Sequence, residues 1–259
     1  MKIASNGIRI FVEEQGQGDL PLVFLHYWGG STRTWHHVTH ALSDAYRTIC
    51  MDHRGWGQSD APEEGYGLAD LAADAQGVID ALNLRRYVLV GHSMGGKVAQ
   101  LLAAQQPAGL AGLVLVAPSP PQPLSMPPEA RAMMTDAYTT RINVEMSINH
   151  VLTAKPLSPA DREQVIQDSL RGATQAKVAW PQSTSLEDIT SQVAAIKVPT
   201  IVIAGEADRV DSVDLLQREL LSRVTHARLH VVPGTGHLSM LESPEEVTRL
   251  IREFVASLP

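Results

Sequence analysis

A serine stands between two glycines in Gly91-His92-Ser93-Met94-Gly95. A hydroxyl is a weak nucleophile until a base takes its proton, so a reactive serine must meet an imidazole that a third group orients. A side chain held at the apex of a sharp strand-to-helix turn needs small neighbours two residues before and after it. Gly91 and Gly95 meet that need, and Gly96 extends it. The apolar run Tyr87–Val90 reads as the strand entering the turn. Met94–Gln106 reads as the helix leaving it and ending before Pro107. A G-x-S-x-G pattern carries weight in that context. The start of the helix also offers free amides and a positive dipole end where an oxyanion would form.

The matching base is His237 in Pro233-Gly234-Thr235-Gly236-His237, just after the expected strand Arg228–Val232. Its two flanking glycines allow a loop that aims the ring. The matching acid is Asp208 in Gly205-Glu206-Ala207-Asp208, directly after the run Thr200–Ala204. Glu206, Asp211 and Asp214 compete for that role. Asp211 and Asp214 fall at the start of the next helix, where the dipole alone favours acids, and Glu206 would have to turn back. The chain order Ser, Asp, His differs from the orders of chymotrypsin and subtilisin. A second oxyanion donor should follow the run Leu20–Leu25, in His26-Tyr27-Trp28-Gly29-Gly30. The backbone N–H groups of Trp28 and Met94 are the expected pair. Asp52-His53-Arg54-Gly55-Trp56-Gly57-Gln58-Ser59 follows the run Arg47–Met51 and reads as a tight turn that braces the site without direct chemistry.

These residues need a frame. Asn6-Gly7 signals a hairpin. Beyond it, strands alternate with helices: Thr34–Leu42, Leu68–Leu82, Met94–Gln106, Ser212–Leu221 and Pro244–Leu258 read as helical. That alternation argues for an α/β protein with a mostly parallel sheet and helices on both faces, its ligands bound at the carboxyl ends of the strands. After the strand Leu110–Val116, a proline cluster from Pro118 to Pro123 breaks the pattern. Helical candidates follow at Glu129–Thr140, Val144–Leu152 and Pro159–Gly172. The reading is a core of residues 1–119 and 182–259 with an inserted helical cap at 120–181. Met126, Met134, Tyr138, Met146 and Trp180 of the cap, with Tyr27 and Leu238, are the candidate substrate-binding residues. They suggest a largely apolar pocket.

Composition narrows the classes. The chain has 259 residues, 44% of them hydrophobic and 19% charged, with a formal net charge of −7. One large core is possible, and disorder is not expected. An acidic surface repels phosphate backbones, so nucleic acid is not an expected partner. No window approaches the roughly 20 apolar residues that span a membrane. The single cysteine, Cys50, excludes an intramolecular disulfide. The N-terminal residues carry no long apolar stretch with a cleavage site, so a cytoplasmic location is expected. His36 and His40 are four apart, a spacing that can ligate zinc. No glutamate follows His36 and no third ligand is evident, so no metal is expected. Lys97 reads as a surface charge on its helix. The expected partner is a small-molecule substrate bound by a monomer or homodimer, without a cofactor.

Gly91-His92-Ser93-Met94-Gly95-Gly96, Asp52-x-Arg54-Gly55-x-Gly57-x-Ser59, Gly205-x-x-Asp208 and Gly236-His237 together resemble the α/β-hydrolase superfamily. The similarity is to its esterase, haloperoxidase-like and C–C hydrolase group, and it covers nearly the whole chain. The resemblance implies the α/β-hydrolase fold, a cap over the site and a covalent acyl-enzyme. The sequence departs from the family at Tyr27, where the oxyanion loop usually carries glycine. The expected activity is hydrolysis of a carboxylic ester. Alternatives with the same triad are cleavage of a C–C bond, an amide or a lactam, and perhydrolysis. An alternative of another class is a ligand-binding signalling receptor with slow turnover.

Overall fold

Runs of apolar residues without polar alternation must be covered on both sides, and they form the centre of a single eight-stranded sheet. In the computed structural model, which describes all 259 residues, the strands are β1 (Lys2–Ser5), β2 (Ile8–Gln15), β3 (Leu22–Leu25), β4 (Thr48–Met51), β5 (Tyr87–His92), β6 (Leu110–Val116), β7 (Thr200–Gly205) and β8 (Arg228–Val232). Their order across the sheet is β1-β2-β4-β3-β5-β6-β7-β8. The β1–β2 hairpin turns at Asn6 and Gly7, and β2 pairs antiparallel with β4. All other pairings are parallel. Every residue of β3, β4, β5 and β7 is buried. That is the reason these segments read as continuous rather than alternating hydrophobic runs.

Ten helices complete the chain. They are α1 (His36–Leu42), α2 (Leu68–Ala81), α3 (Met94–Ala104), α4 (Pro128–Asp136), α5 (Arg141–Ser147), α6 (Pro159–Arg171), α7 (Thr174–Gln182), α8 (Val213–Leu216), α9 (Ser239–Glu242) and α10 (Pro244–Ala256). α2 packs with α3 and α1 with α10, giving a helical layer on each face of the sheet. α10 buries Val247, Leu250, Ile251, Phe254 and Val255, which recur at helical spacing. Helices α4 to α7 occupy the long connection between β6 and β7. No helix is long and apolar enough to cross a membrane.

Several boundaries differ from the sequence expectation. Asn83 and Gln106 sit in the left-handed region (φ 52° and 54°), and the helices before them end at Ala81 and Ala104. The expected helix Val144–Leu152 is instead α5 followed by a π turn at Ile148–Leu152. α7 is absent from the sequence reading because Pro181 lies inside it and reads as a breaker.

A buried ion pair ties the turn after β4 to α2. Arg54 Nε and Nη2 each lie 2.6 Å from a carboxylate oxygen of Asp74, and the two side chains are 5% and 0% exposed. Removing one partner would strand the other charge out of water. Asp74→Ala is therefore expected to destabilise the fold by about 3–5 kcal/mol, read as a lower urea midpoint with an unchanged m-value. A loss under about 1 kcal/mol would mean that Arg54 finds water or another acceptor.

Candidate active site

Ser93 is the residue between β5 and α3, and its backbone is strained. Its φ of 52° and ψ of −115° place a non-glycine residue in a region that costs about 1–3 kcal/mol. The surroundings hold it there. Ser93 N–H donates to the Val116 carbonyl at 3.3 Å, and the Ser93 carbonyl accepts from the Lys97 and Ser119 N–H groups, each at 3.0 Å. The flanking glycines are required by close approach. A β-carbon on Gly95 would lie 2.6 Å from the carbonyl oxygens of both Leu25 and His26. One on Gly91 would run into the Gly95 carbonyl. The turn is thus pressed against the end of β3.

The structure brings Asp208 and His237 together. Asp208 Oδ2 accepts from His237 Nδ1 at 2.9 Å, with both side chains buried. The other carboxylate oxygen accepts from the N–H groups of Val210 (2.8 Å) and Asp211 (3.2 Å), which fixes its rotamer. Burial opposes charge on His237, but the Asp208 carboxylate outweighs it and raises the imidazole pKa above its ordinary value. The competing acids sit elsewhere. Glu206 accepts from Gly234 N–H at 2.8 Å, and Asp214 is exposed on α8. Asp211 is buried beside the pair, and neither of its carboxyl oxygens has a hydrogen-bond partner. Desolvation raises its pKa far above the ordinary carboxylate value, to about 8, which favours the neutral carboxyl.

Two further histidines have structural tasks. A ring nitrogen facing a carbonyl must carry the proton, so His92 Nε2–H donates to the His237 carbonyl at 2.9 Å and steadies the loop that carries the base. His26 Nδ1–H donates to the Tyr27 carbonyl at 2.6 Å, while its Nε2 accepts from His53 N–H at 3.0 Å. Burial keeps both rings neutral, with His26 lowered to about 4. His26 thereby joins the loop after β3 to the turn after β4. In that turn Asp52 accepts from the N–H groups of Thr32 (2.6 Å) and Gln58 (2.7 Å).

The Met94 N–H is the first of α3 and has no intrahelical acceptor. The Trp28 N–H donates to no other backbone group of the chain. Side chains of the β6–β7 connection set the loop around Trp28. Tyr138 Oη donates to the Trp28 carbonyl at 3.0 Å, and the two rings stack with centroids 4.2 Å apart. Trp28 Nε1–H donates to the Ala176 carbonyl at 3.3 Å, and Ser169 Oγ donates to the Gly29 carbonyl at 3.1 Å. A β-carbon on Gly29, at φ 101°, would collide with the Tyr138 ring.

Next to Met94 lies a narrow, mostly apolar cavity walled by Arg54, Trp56, Ala176, Trp180 and Thr184. Of the seven candidate substrate-binding residues, Trp180 lies in that wall. The others are placed differently. Tyr27 is buried beneath its own loop, edge-on to His92 at 5.2 Å, because the absent glycine is replaced by a ring that fills the space under Gly30. Tyr138 packs on Trp28. Leu238 is fully buried, and its N–H donates to the Leu152 carbonyl at 3.0 Å. Met126 and Met134 are half-buried. Met146 is 53% exposed, because the faces of α4 and α5 that carry Met133, Ile142 and Met146 turn outward. Trp56 and Arg54 were not among the candidates. Their turn reads as a brace, and only the packing of α7 over it makes it a cavity wall.

Lys97 is not a surface charge. α3 is covered along nearly its whole length, and Lys97 is 0% exposed with Nζ donating to the Gln122 carbonyl at 3.0 Å. Burial lowers its pKa to about 8. His36 also departs from the sequence pairing. His40 is exposed, whereas His36 meets His37 and, across the chain, Asp161.

Comparison with known proteins agrees with this architecture. The model of the alpha/beta hydrolase family matches residues 22–250. A non-heme haloperoxidase of Rhodococcus erythropolis is 30% identical over 270 residues, covering 98% of each chain. A 2-hydroxy-6-oxononadienedioate/2-hydroxy-6-oxononatrienedioate hydrolase of Burkholderia vietnamiensis is 30% identical over 265 residues, covering 96% of this chain and 91% of its own. Among solved structures, an esterase from Exiguobacterium antarcticum superimposes with a TM-score of 0.91 at 25% identity, covering 99% of both chains.

Proposed function

The chain belongs to the alpha/beta hydrolase family, and on that premise we propose that it is a serine hydrolase that cleaves carboxylic esters of small to medium, largely apolar substrates through an acyl-enzyme on Ser93. The observation that carries this reading is the buried Asp208–His237 pair, 2.9 Å apart, whose loop is bonded through the His237 carbonyl to His92, the residue before a serine held at a strained strand-to-helix turn. Asp208 holds the proton on Nδ1, which leaves the Nε2 lone pair as the base. Neither Ser93 Oγ nor His237 Nε2 is tied to another side chain, so both are free to engage a substrate. Contacts of this kind commonly tighten only when substrate binds.

In the proposed reaction Ser93 Oγ attacks the ester carbonyl as its proton passes to His237 Nε2. The N–H groups of Trp28 and Met94 take up the charge on the carbonyl oxygen. His237 then protonates the leaving alkoxide, which departs as the alcohol. Water repeats the sequence on the acyl-serine and releases the acid. A second reading keeps the triad and cleaves a C–C bond, an amide or a lactam, or lets peroxide replace water. It draws on the 30% identical haloperoxidase and oxononadienedioate hydrolase.

Pre-steady-state kinetics with p-nitrophenyl acetate and longer acyl esters separate the readings. Ester hydrolysis through an acyl-enzyme is expected to give a nitrophenolate burst of about one equivalent per chain, followed by steady turnover. Steady turnover that is faster on vinylogous diketones than on any ester would favour the second reading. Tight binding without turnover would favour a receptor.

A further inference from the structure

Neighbouring residues on a helix normally point about 100° apart. At the start of α1, His36 and His37 do not. Their rings stack with centroids 3.8 Å apart and planes inclined at 42°. Both Nε2 atoms face one carboxylate oxygen, Asp161 Oδ1 on α6, at 3.2 Å from His36 and 3.0 Å from His37. The three donor atoms lie within 4.8 Å of one another.

The hydrogen bonds around the cluster settle its chemistry. His36 Nδ1 lies 2.8 Å from the Arg33 carbonyl, so that nitrogen carries the proton and Nε2 presents a lone pair in the neutral ring. A lone pair facing a carboxylate oxygen is repulsive unless a cation lies between them. A single divalent ion satisfies both rings and the carboxylate together. The surroundings resemble the outer shell of a metal centre. A histidine ligand typically donates its second N–H to a carbonyl, as His36 does here. Asp161 is held by Ser158, whose Oγ donates to Oδ2 at 2.7 Å and accepts from the Asp161 N–H at 3.1 Å. The nearby Arg33 guanidinium is engaged by Asp168, which also accepts from Ser31 Oγ at 2.8 Å.

We propose that His36, His37 and Asp161 form a binding site for one divalent metal ion of the zinc type, which clips α1 of the sheet domain to α6 of the β6–β7 connection. Two imidazoles and a carboxylate suit zinc and its first-row neighbours rather than calcium or magnesium. Zinc–ligand bonds near 2.0–2.1 Å place tetrahedral ligands about 3.3 Å apart, close to the observed spacing. Water completes the coordination. The rings are about a third exposed (36% and 39%), so the ion has an entry path. The site is separate from the triad, and its existence does not depend on the reaction.

The test is Zn²⁺ binding to the full chain by calorimetry, together with the visible spectrum of the Co²⁺-loaded protein. Wild type is expected to bind one equivalent, to show the intense absorption of tetrahedral Co²⁺, and to unfold at higher temperature with Zn²⁺ than without. His37→Gln and Asp161→Asn should each weaken binding at least about a hundredfold and abolish the thermal shift. His40→Gln, on the exposed side of the same helix, should bind as wild type. Melting curves without metal establish that each variant is folded. Binding unchanged in His37→Gln and Asp161→Asn, or no binding to wild type at up to about millimolar Zn²⁺, would overturn the proposal.

Discussion

Ser93→Ala is expected to lower kcat/KM for p-nitrophenyl esters by at least about ten-thousandfold, and to abolish the burst, while leaving the thermal midpoint within a few degrees of wild type or above it. The large kinetic effect follows from removing the only atom that forms the covalent intermediate. What remains is oxyanion stabilisation and binding, which typically leave a residual rate above that in water. The small effect on stability follows from the local structure. Ser93 Oγ caps nothing and makes no hydrogen bond to the chain, while the backbone is held by Val116, Lys97 and Ser119. Alanine also has no side chain that would resist the φ of 52° more than serine does. Retention of more than about a tenth of wild-type turnover would refute nucleophilic catalysis by Ser93.

Asp208→Asn is expected to cost about ten-thousandfold in kcat. The asparagine amide can donate to His237 Nδ1, which would move the ring proton to Nε2 and remove the base where Ser93 needs it. The pH profile provides a second readout. His237 acts as a base only when neutral, and Asp208 raises its pKa above the ordinary imidazole value against the opposing effect of burial. Wild-type kcat/KM should therefore rise with pH along a limb placed above that ordinary value. With the carboxylate gone, the largest influence raising the pKa is lost, and the limb of the residual activity should move to lower pH. Asp211→Asn serves as the comparison. Asp211 is unpartnered and adjacent, and burial favours its neutral form, so its amide should leave the proton of His237 in place and change kcat less than about tenfold. If the two variants exchanged these outcomes, Asp211 would be the orienting acid.

The two effects differ in origin. The first removes a reacting atom, and the second leaves every reacting atom present and displaces one proton. Measured together with the stability loss expected for Asp74→Ala, they separate residues that act at the reaction from one that holds the frame. The Arg54–Asp74 pair shows how closely these tasks are placed, since the same arginine is also part of the wall beside Met94.

Much of the frame was legible in the sequence because its signals are local. A strand buried on both faces must be an unbroken apolar run, and β3, β5 and β7 are such runs. A side chain at a sharp turn must have glycines around it, and Gly91 and Gly95 announced Ser93. The proposed acid and base were read by the same logic, since Asp208 and His237 each follow a strand that ends at the same side of the sheet. The sequence preferred Asp208 to Asp211 because Asp211 falls at the start of the next helix, where the dipole alone favours an acid. The turn that carries both directs one carboxylate to His237 and leaves the other enclosed.

Contacts between distant segments had no local signal. Met146 carries the same hydrophobicity as a pocket residue, yet the orientation of α5 turns it outward, whereas Trp56 was drawn into the cavity wall by α7 packing above it. Lys97 reads as a surface charge on any helix and becomes buried only because its helix is covered around its circumference. His36 has an obvious sequence partner in His40. Its actual neighbours are the adjacent His37 and an aspartate 125 positions away, brought together by the fit of α6 against α1. The sequence by itself determined most of the strands and sheet-covering helices and the strand-to-helix turn on which Ser93 stands, because turn sterics and hydrophobic periodicity act over a few residues. Only the tertiary structure decided which acid meets His237, which side chains wall the cavity and which histidines converge, because those depend on how separate segments pack across the sheet.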